Sequence, residues 1–502
     1  MATADASDDP DGEYDPDEFP VPALEARAQR CAARLREADR VLVASHIDAD
    51  GLTSAAVAAA ALERAGVPFE SLFSKQLDAD DLDRIAATDH DTVLFTDFGS
   101  GQLDLIARHE ERGAFTPVIA DHHQPADADG RSPSASGTES RPVDTEFHLN
   151  PLLEGVDGAS ELSGAGATYL LARALEADGT DNRDLAALAV VGAVGDMQDG
   201  EDGLSGANER LVADGVAAGA LEAETDLALY GRQTRPLPKL LQYASEARIP
   251  GISDDEAGSV EFLSGLDVPM RDDDGDWRRW VDLTGDERQT VASALIRRAV
   301  ASGVPAERVD GLVGTTYVLA DEEPGTELRD VSEFSTLLNA TARYERADVG
   351  LAVCLGDRDE ALARARTLLR NHRRNLSEGL QWVKNEGVTT EEHLQWFDAG
   401  TRIRETIVGI VAGMAVGAAG VSRSKPIVAF ADAGDGEVKV SARGSGHLVR
   451  SGLDLSAVMR EASRAVGGDG GGHDVAAGAT IPEGEREVFL AAADEAVGEQ
   501  VK

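Results

Sequence analysis

The chain has 502 residues, enough for two to four domains, each with a core of its own. Asp and Glu number 92 against 47 Lys and Arg, a formal net charge of −45. Long apolar-periodic segments exclude a disordered acidic chain, and the acidic surface suits molar salt, where the Debye length is only about 3 Å. Two cysteines, Cys31 and Cys354, support neither a disulfide framework nor a thiolate metal site.

The opening "MATADASDDPDGEYDPDEFP" (1–20) reads as an acidic disordered tail without a signal peptide. An Ala/Leu/Arg-rich helix then leads to "RVLVASHIDADG", an apolar strand ending in charged residues. "LTSAAVAAAALERAG" reads as a helix closed by Gly66. The strands "DTVLFTDFGSG" and "FTPVIADHH" follow, with helical segments between them. This alternation predicts a parallel sheet with helices on both faces. Residues 126–146 read as a low-complexity surface loop, and "GAGATYLLARAL" and "NRDLAALAVVGAVGD" as buried helices. From 236 to 325 the pattern weakens around "DGDWRRWVDL", which marks an inserted or linking module. Beyond 326 the alternation returns with "DVGLAVCLG", a long polar helix around "ARARTLLRNHRRNLSEGLQWV", and the strands "KPIVAFAD" and "EVKVSARG". The run "IVGIVAGMAVGAAGV" (407–421) is too short and too rich in Gly and Ala for a membrane span and reads as a buried helix. A glycine-rich loop, "VGGDGGGHDVAAGATIP", surrounds His473. The domains expected are therefore 21–235, 236–325 and 326–502, and the location expected is cytoplasmic, away from membrane.

Four segments end an apolar run with acids or imidazoles. "SHIDADG" supplies His46, Asp48 and Asp50 at alternate positions, so all three can project to one side of an extended segment. "FTDFG" supplies Asp97, "ADHHQP" supplies Asp121, His122 and His123, and "VVGAVGD" supplies Asp196. In an open α/β sheet, ligands bind at the carboxyl edge of the strands, so the four segments should converge on one crevice. Converging carboxylates repel unless a cation sits among them. Asp with His and no thiolate suits Mn²⁺ or Mg²⁺, with imidazole favouring Mn²⁺. The number of acids exceeds the needs of one ion and fits two, the arrangement of phosphoester hydrolysis.

"SHIDADGLTS", "FTDFG", "ADHHQP" and "VGAVGD" resemble, in order, the four motifs of the DHH phosphoesterase family. The segment "RETIVGIVAG…KPIVAFAD…VKVSARG…GGDGGGHDVAAGA" resembles the DHHA1-type accessory domain of its RecJ-like branch, and the whole is most similar to archaeal RecJ-like single-strand nucleases. The resemblance covers roughly 40–235 and 330–482. It implies an α/β fold: a parallel-sheet DHH domain, a smaller α/β accessory domain and an intervening module. It implies Asp48, Asp50, Asp97, His122 and Asp196 as metal ligands, with Asp97 bridging, and His46 as a further ligand. His123 is then placed on the scissile phosphate or near the leaving group, with Asp121 orienting a neighbouring histidine.

In the accessory domain Arg443, at a strand end, and Gly471, Gly472 and His473, in a loop whose N–H groups can cradle an anion, are the substrate-binding candidates. The expected activity is metal-dependent exonucleolytic cleavage of single-stranded DNA or RNA, with replication or repair proteins as partners. The alternatives are a phosphoesterase for short oligonucleotides or nucleotide bis-phosphates, and a non-catalytic replication-assembly protein, which should have lost ligands. The charge removes the usual basic-patch signal for nucleic acid. At molar salt that coulombic term is nearly lost in any case.

Overall fold

In the computed structural model, five apolar segments pair into one sheet: β1 (Val41–His46), β2 (Phe69–Ser74), β3 (Thr92–Thr96), β4 (Thr116–Ala120) and β5 (His148–Leu149). The structure describes residues 15, 18–126, 145–177, 179–200, 203–244, 247–418, 420–434 and 436–501. All neighbours are parallel, in the order β2-β1-β3-β4-β5, as the alternation of strand and helix predicts. The period of two is visible along β1. Val41 and Val43 join a core with the helices Pro22–Glu37, Ala49–Ala65 and Gly164–Ala174. Leu42 and Ala44 join a second core with Leu82, Ile85, Leu103 and Ile106 from the helices Ala79–Ala86 and Leu103–Glu111. Helices thus cover both faces, and the polar strand ends are left at the carboxyl edge.

The Ala49–Ala65 helix begins where the Asp48 carboxylate accepts the Gly51 N–H at 3.0 Å, and it ends at Gly66, whose φ of 71° is left-handed. Most of the expected acidic tail and of the 126–146 loop lies outside the described residues. The end of the tail differs from the expectation: Phe19 packs on the core and Pro20 is buried.

Two strands outside the sheet, β6 (Leu221–Leu227) and β7 (Val313–Leu319), form an antiparallel ribbon. Between them the chain builds a separate core from Leu237, Leu240, Trp280, Val291 and Leu295. The weakly patterned stretch is therefore an insertion carried on two paired strands.

The chain divides into two compact units, 1–365 and 366–502. The boundary expected at 326 falls within the first of these units. The helices Val331–Arg343 and Ala347–Cys354 pack on Ala49–Ala65, and the first of them also packs on Ala186–Gly195, all within the first unit. "DVGLAVCLG", taken with the returning strand–helix alternation, is helical. A short apolar run has no periodicity that separates a strand from a helix packed on several sides.

In the second unit β8 (Thr389–Thr390), β9 (Gln395–Asp398), β10 (Ile427–Gly434), β11 (Glu437–Arg443), β12 (Asp469–Gly472) and β13 (Ala476–Pro482) form a sheet ordered β12-β13-β11-β10-β9-β8. Only β9–β10 is parallel among these pairs. Alternate residues of β10 again divide between two cores. Ile427 and Ala429 meet the buried Glu405–Ala415 helix, while Val428 and Phe430 meet Leu455–Ala465 and Arg486–Gln500. No helix among the described residues is long and apolar enough to cross a membrane.

Candidate metal centre

Each of the four segments delivers its side chains from the end of an element. His46 closes β1, and Asp48 caps the next helix while Asp50 lies in its first turn. Asp97 follows β3 with a φ of 58°, a left-handed conformation uncommon for a residue with a Cβ. Asp121, His122 and His123 follow β4, and Asp196 follows the Ala186–Gly195 helix. The expected convergence is present. Ligand atoms of His46, Asp48 and Asp97 lie within 4.8 Å of one another, as do those of Asp50, His122 and Asp196. Asp97 links the two trios, with its Oδ1 3.3 Å from His122 Nε2 and its Oδ2 3.4 Å from His46 Nδ1. His46 Nδ1 also lies 3.1 Å from Asp48 Oδ2.

Asp121 is placed differently. It is fully buried, and its Oδ1 accepts the His122 and His123 N–H groups at 2.8 and 3.2 Å and faces His123 Nδ1 at 2.8 Å. Its Oδ2 accepts the Ser100 N–H at 2.9 Å. The His123 side chain is 55% exposed and so is turned toward solvent on a buried anchor.

The electrostatics are those of anions crowded without enough cations. Burial pushes the Asp50 carboxyl well above the usual range, and Asp97 and Asp196 push it the same way. Burial raises Asp196 as well, against the pull of His122. Burial also opposes ionisation of Asp97, yet His122 and His46 hold it well below the carboxylate range. Burial disfavours charge on the imidazoles too, but Asp48 and Asp97 raise His46 to about 11, and Asp97, Asp50 and Asp196 raise His122. His123 rises to about 9 because Asp121 outweighs its burial, and Asp121 is held low by His123 in return. Asp50 and Asp196 raised together with His46 and His122 mark a cluster short of positive charge, a condition that a divalent ion would relieve.

His46 Nδ1, Asp97 Oδ2 and His122 Nε2 are buried, and none has a hydrogen-bond partner among the described residues. Buried polar atoms are normally satisfied, so three orphans gathered at the Asp97 carboxylate suit an ion of oxygen and imidazole preference.

Several groups that shape the cluster were not singled out in the sequence. The Gly164 and Ala165 N–H groups, at the start of a helix capped by Ser163, donate to Asp50 at 2.8 and 3.0 Å. A Cβ on Gly164 would stand 2.6 Å from Asp97 Oδ1, so the close approach requires glycine there. Gly158 O lies 2.6 Å from His122 Nδ1, which leaves Nε2 turned to Asp97. Gln198 Nε2 donates to Asp196 Oδ2 at 3.0 Å, and Asn150 Nδ2 donates to His123 O at 2.8 Å. Ser163 before an apolar helix, and Asn150 before Pro151, are cap and turn signals that mark element starts without marking ligands.

The second unit holds the remaining candidates. Arg443 ends β11 opposite Ala476, and its guanidinium lies over Gly409, where a Cβ would stand 2.6 Å from Nη2. The glycine-rich segment is not wholly a loop. Asp469–Gly472 is an edge strand because its glycines admit the close-packed Leu455–Ala465 helix, and a Cβ on Gly470 would stand 2.8 Å from Met459 O. Gly471 has open space around it, Gly472 turns with a φ of 138°, and His473 is exposed in the turn to β13.

Three family models match in order: the DHH family N-terminal domain over 40–193, the DHH-CID domain over 229–313 and the DHHA1 domain over 397–499. The second match falls on the insertion between β6 and β7, which the motifs left unnamed. A curated relative, "Uncharacterized protein MJ0831" of Methanocaldococcus jannaschii, is 28% identical over 92% of this chain and 94% of its own. RecJ of Thermus thermophilus, solved in complex with Mn²⁺, superposes with a TM-score of 0.58 at 18% identity over 96% of this chain. This chain spans 55% of that one. CDC45 from Entamoeba histolytica superposes with a TM-score of 0.62 at 11% identity, over 95% of this chain and 99% of its own. These likenesses are to the fold, and with the family matches they support a phosphoesterase or nuclease. Three models matched in chain order, together with an Asp/His cluster assembled from the motif segments, identify DHH, DHH-CID and DHHA1 domains in this chain and support a DHH-family, RecJ-like fold.

Proposed function

We propose that this protein is a metal-dependent phosphodiesterase that degrades single-stranded DNA or RNA from an end. The observation that carries the reading is the pair of trios joined through Asp97, with three buried ligand-type atoms left without partners. His46, Asp48 and Asp97 would hold one such cation and Asp50, His122 and Asp196 a second, with Asp97 lying beside a histidine of each set. Mn²⁺ suits the imidazole content, and Mg²⁺ suits the carboxylates. Two such cations supply the positive charge that stabilises the developing oxyanions of phosphoester hydrolysis.

The chain's own groups do the positioning. Gly164 and Ala165 fix Asp50 through two N–H donors, Gly158 O fixes the His122 ring, and Gln198 fixes Asp196. His123, anchored on Asp121 and open to solvent, donates to a phosphate oxygen or delivers a proton near the leaving group. Arg443, Gly471, Gly472 and His473 hold the strand through its phosphates, and replication or repair proteins stand as partners on the same reading.

The test offers end-labelled single-stranded DNA, RNA and dinucleotides to purified protein in high KCl with Mn²⁺. Stepwise shortening of strands that stops with chelator, and is lost in Asp97→Ala with the fold retained, is the expected result. Cleavage in excess chelator, or an active Asp97→Ala protein, overturns the reading. Efficient cleavage of dinucleotides alone selects the short-oligonucleotide alternative. A non-catalytic assembly protein has no need of a converging set of acids and imidazoles, and the intact set disfavours it.

A further inference from the structure

Met197 immediately follows the cluster residue Asp196, and at 86% it is the most exposed large hydrophobic side chain among the described residues. Its φ is 60°, so the backbone is left-handed. The Ala186–Gly195 helix closes here with Gln198 N donating to Ala193 O at 3.0 Å and Met197 N donating to Val194 O at 3.1 Å. That pair of bonds makes Met197 the left-handed residue of a helix-ending motif, the position glycine normally takes because it lacks a Cβ.

A methionine there carries backbone strain and shows an apolar surface to water. Glycine would remove both costs. Nor does the side chain serve the core, since 86% exposure leaves almost nothing to pack against. Its neighbours are rigid. The Asp196 carboxylate lies within 4.8 Å of the ligand atoms of Asp50 and His122. Gln198 is buried, donates to Asp196 Oδ2 and to Gly158 O at 3.0 Å each, and accepts from Asn208 at 2.8 Å. A flexible thioether thus stands on a fixed base one residue from a metal-type carboxylate. Strain kept at such a place is a mark of function.

We infer that Met197 is a substrate-contacting residue whose thioether lies against the face of the nucleobase next to the scissile phosphate, an inference that rests on the phosphodiesterase reading. An unbranched, polarisable side chain suits this contact. It adapts to any base, and flat π faces are gripped without sequence readout. The contact is apolar, so salt that screens phosphate contacts leaves it in place.

The experiment compares wild type, Met197→Gly and Met197→Leu on short single strands with Mn²⁺, intact or carrying one abasic nucleotide at either of the first two positions from each end. Met197→Gly should raise KM on intact strands about tenfold, with the loss carried by KM rather than kcat. It should add little on the strand whose abasic position has already removed the contact, and Met197→Leu should restore most of the affinity. Mn²⁺ affinity should be unchanged, and the melting midpoint equal or higher, since glycine relieves the left-handed backbone. A wild-type KM in Met197→Gly, equal losses on intact and abasic strands, or weakened Mn²⁺ binding overturns the inference and makes Met197 only part of the Asp196 turn. If wild type cleaves none of the strands, the phosphodiesterase reading falls separately. The contact is then read from binding of the same strands, where equal affinity of wild type and Met197→Gly overturns it.

Discussion

Gly164→Ala perturbs both trios with one methyl group. The added Cβ would stand 2.6 Å from Asp97 Oδ1, 2.8 Å from Asp97 Cβ and 2.9 Å from Asp97 Cα. Ordinary contacts between carbon atoms are about 3.5–4.0 Å, so relief of the carbon contacts needs at least about 0.6–0.7 Å of movement. Rotating the carboxylate does not help, because two of the three atoms belong to or adjoin the backbone, which already sits at a φ of 58°. If the helix start moves instead, the Gly164 N–H to Asp50 Oδ2 bond lengthens from 2.8 Å to roughly 3.4 Å, past the usual range. Either response exceeds the tolerance of about 0.5 Å for a preorganised site. The cost expected is about 1–3 kcal/mol of stability from overpacking, and about 10–100-fold in Mn²⁺ affinity. Calorimetric Mn²⁺ titration alongside metal-free thermal melting separates the two. Gly285→Ala is the control, since a Cβ there meets nothing within 4 Å. A Gly164→Ala protein that binds Mn²⁺ like wild type refutes the geometry described for the cluster.

Burial works against charge on His46, but Asp48 and then Asp97 raise it to about 11, above an unfolded value of about 6.5. Its contribution to metal-free stability is therefore complete below about pH 6.5 and lost as pH rises toward 11, so the metal-free melting midpoint should fall across that window, and less so with Mn²⁺ bound; a flat metal-free profile contradicts this. Arg443→Ala and His473→Ala should weaken binding of longer single strands more than they slow dinucleotide cleavage, and equal losses on both would remove the accessory sheet from strand holding. Activity and circular dichroism measured across KCl should both rise toward molar salt, because a net charge of −45 repels itself least where the Debye length is about 3 Å. A protein best folded and most active at low salt would need another reason for its acids.

How much of this was legible depended on whether a signal was local. The parallel sheet could be read because β1, β3 and β4 are short apolar runs that end abruptly in Asp or His, and a strand end at a ligand edge leaves that mark in consecutive residues. The Ala49–Ala65 helix could be read from its Gly66 stop. The helix Ala347–Cys354 could not, because burial on several sides removes the periodicity that would have named it. The edge strand Asp469–Gly472 was hidden by its glycines, which read as a turn although here they admit a packed helix. Supporting hydrogen-bond partners were invisible for a different reason. Asn339, which accepts the Ala49 N–H at 3.1 Å, lies 290 positions away, and only the fold brings it there.

Hydrogen-bond accounting separates two buried acids that the sequence presents alike. Asp97 and Asp121 both follow an apolar strand and both are almost fully buried, at 2% and 0% exposure. Three backbone N–H groups and the His123 ring surround Asp121, so the protein itself answers the charge, and the carboxylate is free to orient His123. Asp97 has no such cradle, and its Oδ2 and the facing His46 Nδ1 and His122 Nε2 are left unbonded among the described residues. The His46 and His122 rings, 3.4 and 3.3 Å away, answer the Asp97 charge instead, and a buried pairing of this kind is weak grounds for stability. The glycine at 164 lets a helix start approach Asp97 more closely than any residue with a Cβ could. The two acids thus differ in their surroundings, Asp121 held by donors of the protein itself and Asp97 set among ligand-type atoms that could hold a metal ion.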